Sequence, residues 1–258
     1  DCHYMVSYSV NGYEVGIMNR WYIQAMKTSY CADDSYIADL AVVKYLNKTR
    51  YLDLGQSVTF FVGENGTGKS TLIEAIAVCA GYNAEGGSKN FNFSSRDTTS
   101  NLHNYITLVK QSYERDGFFL RAESFYNVAS QVDDLGIGLS AYGGKSLHEQ
   151  SHGECFMSLV QNRFRGNGLY IMDEPEAALS PLRQLALLSE MNRLVELDSQ
   201  FIIATHSPIL LAYPNAKIYQ ITDTAVEEVS YEDCEHYKVT KQFLDNPNHF
   251  LRHLFSNS

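Results

Sequence analysis

The chain has 258 residues, 45% hydrophobic and 19% charged, a composition that suits one large α/β domain and excludes a disordered chain. A net charge of −10 and an isoelectric point of about 5.2 make nucleic acid and anionic membranes poor bulk partners. The five cysteines, Cys2, Cys31, Cys79, Cys155 and Cys234, are odd in number and far apart, so neither a disulfide framework nor a Cys-based zinc site is expected, and a cytoplasmic setting is.

Residues 1–20 read as an N-terminal extension, with Met18 a candidate natural initiator. Tyr36–Tyr45 and Tyr51–Asp53 are predicted strands, turned by Asn47-Lys48-Thr49. Ser57–Val62 is a continuous β-rich run ending in glycine, the pattern of a buried strand. Ser70–Ala80 has helical spacing and stops at Gly81. A loop is expected over Asn83–Ser100, a helix over Asn101–Gln111, a strand over Phe118–Arg121 and a further loop over Gly136–Gln150. Ser151–Phe164 and Pro181–Leu197 are predicted helices; Gly168–Met172 and Gln200–Ala204 are predicted buried strands. Lys217–Ile221 and Val226–Val229 are short strands, and the tail from Glu235 is helical, so residues 231–258 are expected to pack on a domain of residues 21–230. Strands alternating with helices predict a mostly parallel sheet covered on both faces. No run approaches 18 uninterrupted apolar residues, so no membrane insertion is expected.

Gly63-Glu64-Asn65-Gly66-Thr67-Gly68-Lys69-Ser70 fits the P-loop pattern in full, between a predicted strand and a predicted helix. Its glycines let the backbone curl so that N–H groups converge on phosphate oxygens, and the following helix adds its positive end. Lys69 can reach the β- and γ-phosphates, and the Ser70 hydroxyl can ligate Mg²⁺, with Thr71 one residue further on. In Leu169–Glu176 (LYIMDEPE) an apolar strand ends in acids: Asp173 can hold Mg²⁺ through water and Glu174 can polarise an attacking water. Phe201–Pro208 (FIIATHSP) delivers Thr205, His206 and Ser207 to the same sheet edge, where His206 can meet a γ-phosphate or the water.

His148-Glu149-Gln150-Ser151-His152 matches the zinc-protease pattern H-E-x-x-H, which would make His148 and His152 ligands and Glu149 a base. That pattern needs a helix running through it, yet it follows the loop-like Ser140–Gly144 and runs straight into Gly153. Ser151-His152-Gly153-Glu154 reads better as a capping box that starts a helix, whose N-terminus is also a second place for a phosphate.

Taken together these pieces resemble the ABC-type ATPases. Gly63–Thr71 is similar to their P-loop, Ser151–Glu154 to their signature, Asp173 and Glu174 to their Walker B acid and catalytic glutamate, and His206 to their switch histidine. The wording Ala204–Pro208 resembles stand-alone members, relatives of the SMC, RecF and OLD groups, more than transporter subunits. His152 stands where the family has Gly, Glu154 where it has Gln, and Ser180 where it has the D-loop Asp. Arg121 and Glu123 are the best-placed residues for its Q-loop, and Tyr36, Tyr45 and Tyr51 are all available for adenine stacking. The interval between Lys69 and Asp173 leaves no room for long coiled-coil arms.

The resemblance implies a P-loop NTPase fold with an ABC-like nucleotide-binding domain, in which the mostly parallel sheet carries an N-terminal antiparallel β subdomain and a helical signature region. It implies ATP and Mg²⁺ as ligands and a head-to-tail homodimer or higher assembly, with the second subunit's Ser151 and Gly153 covering the γ-phosphate and Glu154 of the same motif counted among the nucleotide-binding residues. The expected role is a switch that regulates or accompanies an effector, a nuclease or toxin, in bacterial genome maintenance or anti-phage defence. The alternative is the ATPase subunit of a membrane transporter, for which an SGGQ signature and a clear Q-loop would speak.

Overall fold

The computed structural model describes residues 7–10, 13–16, 21–29, 36–89, 100–123 and 151–255. Its centre is a six-stranded sheet in the order β11-β10-β5-β9-β8-β7: Val226–Val229 (β11), Lys217–Ile221 (β10), Val58–Gly63 (β5), Gln200–Ala204 (β9), Gly168–Asp173 (β8) and Asp116–Arg121 (β7). Every pairing is parallel except β10–β11. All residues of β5, β8 and β9 are buried, which is why their sequences read as unbroken apolar runs rather than alternations. The alternation survives in where the side chains go. Phe61, Leu169, Ile171 and Ile202 face one core cluster, and Phe60, Tyr170, Met172 and Phe201 face the other.

On the first face lie Ala41–Thr49 (α1), Lys69–Ala80 (α2) and a three-stranded antiparallel sheet, Tyr51–Asp53 (β4), Ile23–Thr28 (β3) and Ile106–Lys110 (β6), in the order β4-β3-β6. On the second face lie His152–Arg163 (α3), Pro181–Val195 (α4) and the single turn Pro208–Leu211 (α5). Two terminal helices follow, Glu235–Asp245 (α6) and Pro247–Phe255 (α7), broken at Asn246 by the proline that cannot continue the first. Ser7–Val10 (β1) and Tyr13–Gly16 (β2) form an antiparallel pair. Gln200, fully buried on β9, ties the two sheets together: its amide accepts from Ile23 N–H at 2.9 Å and donates to the carbonyls of Ile23 at 2.9 Å and Leu54 at 2.8 Å. None of the described residues forms a helix long and apolar enough to cross a membrane.

Three local expectations are corrected. Tyr36–Tyr45 is not a strand but a 3-10 turn, Tyr36–Asp39, leading into α1, and Asn47–Thr49 is the last turn of that helix rather than a turn between two strands. The chain reverses one residue later, at Arg50 in the left-handed region (φ 59°). Val42, Val43 and Leu46 are buried in the first core, so tertiary packing overrides the β preference of the valines. Asn101–Gln111 is not a helix: a 3-10 turn, Asn101–Tyr105, gives way to β6. The short run Ile106–Val109 suits either element, and its partner β3 decides it. That partner, Ile23–Thr28, was not anticipated, because Gln24 and Lys27 interrupt its apolar pattern. The antiparallel subdomain therefore draws its third strand from well downstream of the P-loop.

Candidate nucleotide-binding site

β5 ends at Gly63, whose Cα lies in register with Ile221 of β10. A Cβ at residue 63 would stand 2.1 Å from the Ile221 carbonyl oxygen, so the parallel neighbour leaves room for glycine alone. Gly66 and Gly68 turn the chain through the left-handed region, at φ 85° and 96°. Within the curl, Glu64 O accepts from Thr67 Oγ1 at 2.9 Å and from Lys69 Nζ at 2.9 Å. Lys69 opens α2 and is only 3% exposed. Burial lowers its pKa, while Glu174, Asp173, Glu64 and Glu176 pull it back up. The loop thus holds a buried ammonium on one of its own carbonyls, an attachment that a phosphate can replace with a stronger, charge-assisted one.

Ser70 is brought to Asp173 by the adjacency of β5, β9 and β8: Ser70 Oγ donates to Asp173 Oδ1 at 3.1 Å. Arg121, at the end of β7, lies with Nε 3.5 Å from Asp173 Oδ2 and donates from Nη1 to Glu74 Oε2 at 3.0 Å. Glu74 Oε1 in turn accepts the Ser100 N–H at 2.9 Å. Burial pushes the Asp173 carboxyl up to about 6, against the downward pull of Arg121 and of the Ser70 hydrogen bond. A hydroxyl and a buried carboxylate beside a phosphate loop fit Mg²⁺, which prefers oxygen and keeps water and substrate phosphates among its ligands. A dication there would also offset the burial that raises Asp173. No group of three or more His, Cys, Asp or Glu among the described residues could hold a metal by itself.

Glu174 follows in the left-handed region at φ 49° and ψ 53°. Such a conformation costs a non-glycine residue about 1–2 kcal/mol. Its N–H is held by Ala204 O at 2.9 Å, and Pro175 starts a 3-10 turn directly after it. His206 meets this acid from the end of β9, with Nε2 3.3 Å from Glu174 Oε1. Its backbone N–H donates to Glu176 Oε1, fixing the two segments together. Burial lowers the His206 pKa and Lys69 adds to that, while Glu174 opposes both. Burial also raises the pKa of Glu176. Lys69, Ser70, Asp173, Glu174 and His206 therefore gather at one end of the parallel strands.

Ser151, Gly153 and Glu154 form a second, separate group. The Glu154 carboxylate accepts from Ser151 N–H at 2.9 Å and Ser151 Oγ at 2.7 Å in a capping box. Arg183 joins both residues, at 3.4 Å from Ser151 Oγ and 3.2 Å from Glu154 Oε1. It lies so close over Gly153 that a Cβ there would come within 2.6 Å of it. His152 is the first residue of α3; His148 and Glu149 lie outside the described residues, as do Gly136–Gln150 as a whole and most of the Asn83–Ser100 loop.

Neither Glu74 nor His236 belongs to a motif of the sequence. Glu74 reads as an ordinary helical acid until Arg121 is placed beside it. His236, on α6, puts Nε2 3.2 Å from His206 Nδ1, and no spacing in the chain signals that contact.

A family model described as "AAA domain" matches residues 42–148, and a second, described as "AAA domain, putative AbiEii toxin, Type IV TA system", matches residues 154–212. Both matches are to AAA domains, in agreement with the resemblance to P-loop ATPases carried by Gly63–Ser70. The two matches fall on either side of the fold's division of labour: the first contains the P-loop and the second carries Asp173, Glu174 and His206. No curated protein matches this chain. Among solved structures, cbiO1 from Clostridium perfringens, part of the ABC transporter complex cbiONQ, is 17% identical, over 92% of this chain and 100% of that one, at a TM-score of 0.45. The SMC head domain from Thermotoga maritima is 13% identical, over 81% of this chain and 100% of that one, at a TM-score of 0.44.

Proposed function

We propose that this domain binds ATP at Gly63–Thr71 and hydrolyses it, and that ATP closes it into a head-to-tail dimer that acts as a switch. The observation that carries the reading is the convergence of Lys69, the Ser70–Asp173 pair and the Glu174–His206 pair on one sheet edge. Ser70 and Asp173 would hold Mg²⁺, which when bound neutralises phosphate charge. Lys69 leaves the Glu64 carbonyl for the β- and γ-phosphates. Glu174 accepts a proton as water attacks the γ-phosphorus; the bond from that phosphorus to the bridging oxygen breaks, leaving ADP and phosphate. His206, hydrogen-bonded to Glu174 through Nε2, orients the acid and reaches toward the water. The second subunit's Ser151 and Gly153 would cover the γ-phosphate, so the closed dimer has affinity for ATP that it lacks for ADP.

The wider role we propose is control of an effector, a nuclease or toxin, in bacterial genome maintenance or anti-phage defence. Its support is the match over residues 154–212 to an AAA-domain model described with a toxin of a Type IV TA system. The test is phosphate release by the wild type and light scattering of Glu174→Gln with and without ATP and Mg²⁺. The expected result is turnover in the wild type and an ATP-dependent dimer of the variant. A variant that stays monomeric at saturating ATP would sink the clamp.

A further inference from the structure

We propose that His236, in the first turn of α6, is a positioning residue that fixes the tautomer and direction of His206, so that ATP turnover depends on the seating of the C-terminal helix. This rests on the reading of Glu174 and His206 given above. Each ring nitrogen of His206 has one partner: Nε2 faces Glu174 Oε1 at 3.3 Å and Nδ1 faces His236 Nε2 at 3.2 Å. A carboxylate only accepts, so Nε2 carries the proton. Nδ1 is then a bare lone pair, and His236 Nε2–H is its donor. That leaves His236 Nδ1 unprotonated. It is buried without a hydrogen-bond partner, a condition tolerated somewhat more readily in an acceptor than in an N–H. The reverse assignment would set a lone pair against the Glu174 carboxylate and strand a buried N–H on His236. Burial lowers the pKa of both rings, which keeps them neutral, as the assignment requires.

The element that carries His236 is loosely built in. No residue of α6 is buried, and Val239 and Leu244 are 53% and 70% exposed. A cavity of about 600 Å³ lies between α6 and the start of α5, lined by His206, Pro208, Tyr237 and Leu244 among others. An element with so little buried apolar surface opens at lower cost than β8 or β9, which hold the rest of the site. When α6 shifts, Nδ1 loses its donor, the His206 proton is free to move to Nδ1, and Nε2 no longer holds Glu174.

The experiment is long-range ¹H–¹⁵N NMR of the imidazole nitrogens in nucleotide-free protein, on the wild type, His236→Ala and His236→Gln, with turnover and ATP affinity measured on the same samples. The wild type is expected to show His206 as the Nε2–H tautomer with Nδ1 accepting a hydrogen bond. His236→Ala is expected to show mixed tautomers and a kcat lowered about tenfold, the usual scale for losing an orienting partner, with ATP affinity within about twofold. His236→Gln, whose amide N–H can donate to Nδ1, should restore both. A pure Nε2–H tautomer in His236→Ala, or wild-type kcat in that variant, overturns the proposal. A wild type with the expected tautomer but no turnover sinks the hydrolysis reading, and the coupling to turnover with it, while leaving the tautomer assignment standing.

Discussion

The two sides of the site are built by opposite means. The phosphate side is eight consecutive residues, Gly63–Ser70, and owes its shape to backbone: three glycines where a Cβ or a right-handed turn does not fit, and a lysine folded onto its own loop. The acidic side is assembled from separate segments, the ends of β7, β8 and β9 and the first turn of α6, and owes its shape to the Arg121–Asp173 ion pair and to hydrogen bonds among Glu174, Glu176, His206 and His236. One side is a local motif that the fold receives ready-made. The other exists only once the sheet order β5-β9-β8-β7 has formed. Damage should differ accordingly: on the phosphate side to binding and folding, on the acidic side to turnover.

The sharpest way to break that contrast is Glu174→Gln. The amide keeps the size and can still meet His206, but it cannot take a proton from water. Turnover should fall ~10²–10⁴-fold, the usual worth of a general base, with ATP affinity unchanged; equal losses in both would show that Glu174 binds rather than reacts. Lys69→Ala is the mirror experiment. It removes the one cation buried in the loop, and ATP affinity measured by calorimetry should drop ~100-fold or more, the scale of losing charge-assisted contacts. Unchanged affinity would refute the P-loop assignment. Gly63→Ala sharpens the contrast through stability. Its Cβ meets a backbone carbonyl that cannot step aside without disturbing the β5–β10 pairing. Overpacking of this kind costs about 1–3 kcal/mol, read as a lower unfolding midpoint in urea. A midpoint equal to the wild type would show that β10 yields freely.

What could be read from the sequence follows the same division. The P-loop was legible because its residues are neighbours in the chain, and the buried strands β5, β8 and β9 because burial on both faces leaves an uninterrupted apolar run. Asp173, Glu174 and His206 were legible because each sits where such a strand ends. Arg121 was in view as a residue at a strand end, but not its bridge between Glu74 and Asp173, which needs α2 and β8 already in place. His236 was out of reach, since α6 is an exposed helix with no motif and its contact with His206 is set by packing. The errors at Tyr36–Tyr45 and Asn101–Gln111 have one cause: short segments whose state is decided by a partner, α1 by the first core and β6 by the unanticipated β3.

The smallest expected effect tests whether the contrast extends to a third region, the Ser151–Glu154 group, whose structure is that of a helix cap and whose proposed role is to cover a phosphate in a second subunit. Ser151→Ala removes the hydroxyl that Glu154 accepts at 2.7 Å and should cost about 1 kcal/mol of stability, whatever else the residue does. Ser151→Asp separates the two roles. Aspartate caps a helix as well as serine, and Arg183, 3.4 Å from Ser151 Oγ, offsets the charge it brings close to Glu154. Stability should therefore stay near that of the wild type. A carboxylate facing a γ-phosphate across a dimer, however, repels it, so in a Glu174→Gln background Ser151→Asp should abolish the ATP-dependent dimer seen by light scattering. If the dimer persists in Ser151→Asp, Ser151 ends a helix and does nothing further, and the closure of the site must come from other residues.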